Sequence, residues 1–346
     1  MAKAERRNAI APTVTEELAI QLNKKYSAIT VDKLKKFKVD PRSNIAGLGF
    51  IRREQGTLMT GSTGIGKSVL VMQVAMYLAS GRDIFDRIHV PHKNKVLVIN
   101  SQNDMQTLKQ DVESISHFTG IKLKDIQDNL DIRYIPSLPS EEFFTFLEYV
   151  LKKTKPDVVM IDPYQDFIGA VEIKDSKPFF QWRDSIEPLM KEYKFALVTT
   201  PHTPKPQERS GWSDQDMVYM AIGTSALPNW CRVSCELLHE KEDVTKYKLH
   251  FSKNPARTGM MNESGDVVKS LYVEHCGTEL EPCWKVSALQ GGALKINEEA
   301  LIKDIAWSNP SWSYREIGAA TGIRKNKVMK YYPDKLKIMK KKEEKK

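Results

Sequence analysis

Residues Gly61 to Ser68 read GSTGIGKS, and this stretch decides the fold. Its spacing is Gly-x4-Gly-Lys-Ser; the apolar run Thr57-Leu58-Met59-Thr60 precedes it and a helix-like stretch from Val69 to Leu78 follows. Strand, tight loop and helix therefore succeed one another. Glycines at 61, 64 and 66 let the backbone curl, so that the N–H groups of Gly61, Ser62, Thr63, Gly64, Ile65 and Gly66 and the following helix N-terminus converge on one anion. Lys67 is placed to reach the β- and γ-phosphates as a point charge, and the Ser68 hydroxyl to take one position on Mg²⁺. The segment reads as a site for ATP or GTP with Mg²⁺.

Outward from this loop, short apolar runs alternate with amphipathic segments, the pattern of an α/β parallel sheet flanked by helices. The runs cover residues 57–60, 95–100, 130–135, 157–162 and 195–200, and the helical segments 67–78, 106–118, 141–153 and 178–191. Each crossover is long enough for a parallel connection. Later strand-like runs, around Val233, 247–251 and 267–273, are expected as antiparallel hairpins at one sheet edge. Upstream, Val14-Leu18-Leu22 and Val31-Leu34-Phe37 have helical spacing and predict a small helical arm over residues 1–45. The α/β domain then spans 46–290, a compact helical domain 291–335, and a basic KKKEEKK-containing tail, expected to be disordered, 336–346.

A phosphate loop needs a carboxylate at the end of a neighbouring strand to hold the Mg²⁺ water shell. Asp162 closes the run DVVMID at its carboxyl tip, where ligands of open α/β sheets bind. After the run ending at Thr200 come His202, Thr203 and Lys205, expected to face the same crevice. Such a histidine either senses the γ-phosphate or belongs to a solvated loop.

Lys+Arg total 53 against 44 Asp+Glu, a net charge of +9, which favours an acidic partner such as nucleic acid. No apolar run reaches the ~18 residues of a membrane span, and the start lacks a signal-peptide core, so a soluble cytoplasmic protein without a membrane partner is expected. Cys231, Cys235, Cys276 and Cys283 are too irregularly spaced for a disulfide framework and lack the Cys-x2-Cys spacing of zinc sites; buried thiols in strands are expected.

Residues 309–332, NPSWSYREIGAATGIRKNKVMKYY, have the layout of a helix-turn-helix. Ser313 caps a helix that buries Ile317 and Ala320, Gly322 makes the turn, Ile323 enters the core, and Arg324 starts a second helix burying Val328. An earlier helix over 298–307 offers Leu301, Ile305 and Ala306 to the same core. Arg324, Lys325, Asn326, Lys327 and Lys330 line the second helix, whose basic contacts would neutralise DNA phosphates while Asn326 or Arg324 reads base edges. An oligomerisation bundle with a basic face is the other reading. Between the strands, the loops 164–177 and 202–217 are candidate DNA contacts, the second carrying Lys205, Arg209 and the stacking residue Trp212.

Six motifs in order, GSTGIGKS, VLVINSQND, VVMIDPYQDFIG, TTPHTPKP, IGTSALPNWCRVSCEL and FSKNPARTG, resemble the RecA-like ATPases, and within them the plasmid RepA-type replicative helicases, over roughly residues 45–275. The resemblance implies that Lys67 and Ser68 bind phosphate and Mg²⁺, that Asp162 is the second-motif aspartate, and that His202 couples nucleotide to DNA. It also makes Arg232 an arginine finger directed at a neighbouring subunit's γ-phosphate and Lys253 a second basic position of the pattern. A local pairing of Arg232 with Glu236 is the alternative. The chain departs from the family where a glutamate should polarise the attacking water, because Gln102 stands there and cannot accept a proton. Asp104 is close enough in sequence to substitute. The resemblance thus implies an ATPase in a homo-oligomer, a ring such as a hexamer, acting with single-stranded or duplex DNA in replication or mobilisation of a plasmid, phage or other mobile element. Helicase action is one version; an ATP-switched regulatory or loading factor with slow hydrolysis is the other, and Gln102 favours it.

Overall fold

The computed structural model describes residues 16–136, 138, 140–169, 177–201, 226–240, 246–278, 281–288, 295–309 and 311–332. Val14, the 202–217 loop, residues 170–176 of the 164–177 loop, and the basic tail lie outside the described residues.

Two units divide the chain, residues 1–39 and 40–346. The first carries α1 (Glu16–Lys25) and α2 (Val31–Lys36), the latter capped by Thr30, whose hydroxyl accepts the N–H of Lys33 at 3.2 Å. The apolar positions that predicted these helices, Leu18, Leu22, Leu34 and Phe37, are exposed.

The second unit runs β1 (Asn44–Ala46), β2 (Ile51–Arg52), β3 (Gly56–Gly61), α3 (Lys67–Ser80), β4 (Val96–Asn100), α4 (Met105–Thr119), β5 (Leu130–Tyr134), α5 (Ser140–Thr154), β6 (Val158–Asp162), α6 (Lys177–Tyr193) and β7 (Ala196–Thr199). It continues with α7 (Ala226–Trp230), β8 (Val233–His239), β9 (Tyr247–Lys253), β10 (Met260–Met261), β11 (Ser270–His275), β12 (Trp284–Val286), β13 (Lys295–Ile296), α8 (Glu298–Ser308), α9 (Tyr314–Thr321) and α10 (Lys325–Tyr331). Nine strands form one sheet in the order β12-β11-β9-β8-β3-β7-β6-β4-β5. From β8 to β5 every pairing is parallel, and from β8 to β12 every pairing is antiparallel.

Both faces of the parallel part are covered, which is why its strands read as continuous apolar runs. Alternate residues serve opposite layers: Val96, Val98, Val158 and Met160 join the core under α3 and α4, whereas Leu97, Ile99, Val159 and Ile161 join the core under α5 and α6. This is the RecA-like arrangement, with β7 inserted between the phosphate-loop strand β3 and the aspartate strand β6.

One strand departs from expectation. The run around Val233 does pair antiparallel with the next strand, β9, but it is not at the edge: on its other side β8 pairs parallel with β3, from Thr57↔Val233 to Gly61↔Leu237, and lies inside the sheet. Its residues Val233 to Leu238 are all buried, and Glu236 among them accepts a hydrogen bond from the Ser252 hydroxyl. An apolar run buried on both faces carries no mark of its direction. The antiparallel extension begins one strand later, at β9.

Near the C-terminus three short helices close around Ile302, Ile305, Ala306, Ile317 and Val328. Ser313 and Glu316 form a reciprocal cap, the N–H of Glu316 donating to Ser313 Oγ at 3.2 Å and the N–H of Ser313 to Glu316 Oε2 at 2.6 Å. Gly322 ends α9 in the left-handed conformation, φ +69°, and Arg324 is the N-cap of α10 rather than its first residue. Cys231, Cys235 and Cys283 are buried and Cys276 half-buried; of the four only Cys235 lies in a strand, β8, while Cys231 precedes that strand, Cys276 follows β11 and Cys283 precedes β12. Among the described residues no helix is long and apolar enough to cross a membrane, and no histidine, cysteine or carboxylate cluster could hold a metal.

Candidate nucleotide site

The loop after β3 opens at the carboxyl edge of the sheet. Register brings Asn100 of β4 level with Asp162 of β6, and both strands end beside that loop. Thr63, Gly64, Lys67, Ser68, Gln102 and Asp162 line one cleft of about 480 Å³. Gly64 has φ +79° with no heavy atom within 4 Å of where a Cβ would stand, so the cradle is open for an anion. Lys67 Nζ donates to the carbonyls of Gly61 and Ser62 at 2.6 and 3.0 Å. Burial lowers its pKa, an effect that the Asp162 carboxylate opposes.

Asp162 is buried. Its Oδ1 accepts the Thr200 hydroxyl, while Oδ2 has no hydrogen-bond partner among the described residues. An orphaned carboxylate oxygen is costly unless something cationic completes it. Together with the Ser68 hydroxyl on the same cleft, it fits a hard divalent cation with oxygen ligands.

Gln102 is exposed on the cleft, just beyond β4, where Asn100 Oδ1 accepts the N–H groups of Gln102 and Asn103 at 3.1 and 2.7 Å. Asp104 is held elsewhere: it caps α4, accepting the Thr107 N–H at 2.8 Å, and that hydrogen bond lowers its pKa.

Trp284 was not legible as a site residue. Its indole N–H donates to the Gly66 carbonyl at 3.2 Å, and Gln73 of α3 holds its backbone from both sides, Nε2 to the Trp284 carbonyl at 2.7 Å and the Trp284 N–H to Oε1 at 2.9 Å. A Cβ at Gly66 (φ +92°) would stand 2.9 Å from the Trp284 ring, so only glycine permits this contact. The His275 ring packs on the indole with centroids 3.8 Å apart. The antiparallel extension of the sheet thus braces the phosphate loop. Trp284→Phe, which keeps a smaller aromatic ring and loses the donor, is expected to weaken nucleotide binding at least about fivefold, since one net hydrogen bond is worth ~1 kcal/mol. Titration with a fluorescent ATP analogue checks this, and an unchanged Kd would show that the indole N–H is dispensable.

At the other end of the sheet, Arg232 is exposed and its N–H donates to the Gly56 carbonyl at 2.8 Å. Glu236, its suggested local partner, is buried and accepts from Ser252. From Gly56 to Gly61 the strand runs ~16 Å, more than an arginine side chain spans, so Arg232 does not reach its own phosphate loop. Lys253 Nζ donates to the carbonyls of Pro228, Asn229 and Cys231 at 2.7, 3.0 and 2.6 Å, tying down the end of α7. His202, Lys205, Arg209 and Trp212 lie outside the described residues.

On α10, Arg324, Lys325, Asn326, Lys327 and Lys330 are exposed. Lys327 pairs with Glu298 of α8 at 2.6 Å. Arg324, Asn326, Lys327 and Lys330 line an open cleft of about 740 Å³ whose far wall includes Asp83 and His89.

A family model described as "AAA domain" matches residues 22–208. No curated protein matches the sequence. Among solved structures, a KaiC-like protein from the hyperthermophilic archaeon Pyrococcus horikoshii is similar at 15% identity and a TM-score of 0.45, the match covering 72% of this chain and 99% of that one.

Proposed function

The chain belongs to the AAA-domain family of P-loop ATPases, and from that premise we propose that it is an ATP-dependent DNA-binding protein of the RepA-type helicase class, working as a homo-oligomeric ring in replication or mobilisation of a mobile element. The observation that carries the ATPase part is the meeting of Lys67, Ser68, Gln102 and the half-satisfied Asp162 on one cleft. Lys67 leaves the Gly61 and Ser62 carbonyls for the β- and γ-phosphates, and the loop N–H groups and the α3 N-terminus hold the remaining oxygens. Ser68 and Asp162 would hold Mg²⁺, which would supply charge neutralisation for the phosphates. Arg232, too far from its own loop, serves a neighbouring subunit.

DNA enters the reading through charge. The net charge of +9 and the basic face of α10 suit a polyanion, and α8, α9 and α10 are proposed as a helix-turn-helix domain over 291–335. Arg324, Lys325 and Lys330 would contact phosphates and Asn326 a base edge. Gln102 supports a second reading, an ATP-switched loading or regulatory factor in which hydrolysis is slow and only resets assembly.

Turnover with and without single-stranded DNA, measured beside particle size in ATP, tests both. A motor is expected to form rings and release phosphate several-fold faster with DNA. ATP-driven assembly with DNA-independent, slow release selects the switch. Absence of both assembly and turnover in Mg-ATP overturns the two together.

A further inference from the structure

Granted the ATPase reading above, we infer that Asp111 is the proton acceptor for the water that attacks the γ-phosphorus, filling the part that Gln102 cannot play. Asp111 lies on α4 and faces the same cleft as Lys67, Ser68 and Gln102. Asp162 and Asp111 are the two carboxylates among the described residues lining it, and Asp162 is claimed by Thr200 and by its place beside Ser68. Asp111 is only 4% exposed, yet among the described residues no cation pairs with it; its partner is the Asn103 amide, whose Nδ2 donates to Oδ2 at 3.3 Å. Asn103 directly follows Gln102, so this hydrogen bond brings the carboxylate to the end of β4, beside the position from which the family's glutamate would act.

Helix α4 is held at both ends of this stretch. Asp104 caps its start, and Ser114, one turn beyond Asp111, donates its hydroxyl to the Pro282 carbonyl at 3.0 Å, Pro282 being another wall of the cleft. Asn103 is therefore a positioning residue for Asp111, and α4 is braced where the carboxylate leaves it. Burial raises the Asp111 pKa to about 6, with the Asn103 hydrogen bond opposing. A carboxyl group so tuned is ionised at neutral pH and a better base than an exposed aspartate.

In the step itself the water oxygen forms a new bond to the γ-phosphorus, the bond from that phosphorus to the bridging oxygen breaks, and its electron pair leaves with ADP. One water proton passes to the Asp111 carboxylate and is then released to solvent. ATP and water become ADP, phosphate and one proton.

The test uses the full chain, comparing wild type with Asp111→Asn, Asp111→Glu and the double variant Asp111→Asn/Gln102→Glu, by steady-state and single-turnover phosphate release from pH 5 to 9. Binding of a fluorescent ATP analogue with Mg²⁺ is measured in parallel. Asp111→Asn is expected to lower kcat ~100-fold, to leave Kd within about twofold, and to abolish the decline in turnover that wild type shows as pH falls through about 6. Asp111→Glu should keep that decline, and Gln102→Glu should restore turnover to the asparagine variant. Wild-type turnover and pH profile surviving in Asp111→Asn would overturn the assignment. So would a change in Kd or in ATP-versus-GTP preference with kcat intact, which would set Asp111 against the base instead. Nucleotide binding by wild type with turnover no higher than that of Asp111→Asn sinks the assignment alone, whereas failure of wild type to bind nucleotide sinks the ATPase reading.

Discussion

Lys67→Ala should lose at least ~100-fold in affinity for Mg-ATP, since it removes charge-assisted hydrogen bonds to phosphate worth ~1.5–3 kcal/mol each. Turnover should fall below detection. The same substitution should not harm the fold. Burial lowers the Lys67 pKa, so the protonated ammonium costs folding free energy at neutral pH, a cost present in full below the folded pKa and relieved as pH rises through it toward the ordinary value of 10.5. The ligand-free alanine variant is therefore expected to melt at or slightly above the wild-type temperature. Calorimetric titration with Mg-ATP beside a thermal melt separates the two effects. Unimpaired binding would remove the phosphate loop from the site; lost binding with a collapsed Tm would show a folding defect instead.

Arg232→Ala should reduce turnover ~10³-fold, the scale of a lost arginine finger, while changing nucleotide affinity far less. The reason is geometric. Arg232 sits at the amino end of β8, level with Gly56, whereas the phosphate loop begins at Gly61 on the opposite edge of the sheet. Arg232 lines a separate cleft of about 410 Å³ with Glu54, Glu187 and Trp230, at the end of the sheet away from the phosphate loop. Mixing Arg232→Ala with Lys67→Ala subunits should then recover part of the activity, because one interface in such a ring joins an intact lysine to an intact arginine. Two inactive preparations that stay inactive on mixing would assign Arg232 a role within its own subunit.

Much of this was legible from residue order. The runs over 57–60, 95–100 and 157–162 became β3, β4 and β6 within about a residue at each end, because two-faced burial demands continuous apolar residues and the loop chemistry marks where they stop. Ser313, Gly322 and Val328 similarly announced α9 and α10, since capping and turn preferences act over three or four residues. The direction of β8 was not legible, because Val233 to Leu238 would look the same in a parallel or an antiparallel strand. Nor was the setting of Lys253, which the resemblance gave only as a second basic position and whose ammonium meets three backbone carbonyls. Lys327 likewise read as a DNA contact and is found paired with Glu298 across the helical domain.

Residue order alone marked the glycine-rich loop, an aspartate at the tip of an apolar run, the strand segments themselves and a basic C-terminal helix, because loop, capping and burial preferences act between neighbours in the chain. Chain folding over long separations decided the rest. It set Trp284 against Gly66, 218 positions away, placed Asp111 on the cleft of Lys67 and Ser68, and left Arg232 at the opposite edge of the sheet from its own phosphate loop. Those placements depend on which strand lies beside which and which helix face meets the sheet, and a one-dimensional pattern of apolar and polar residues leaves both open.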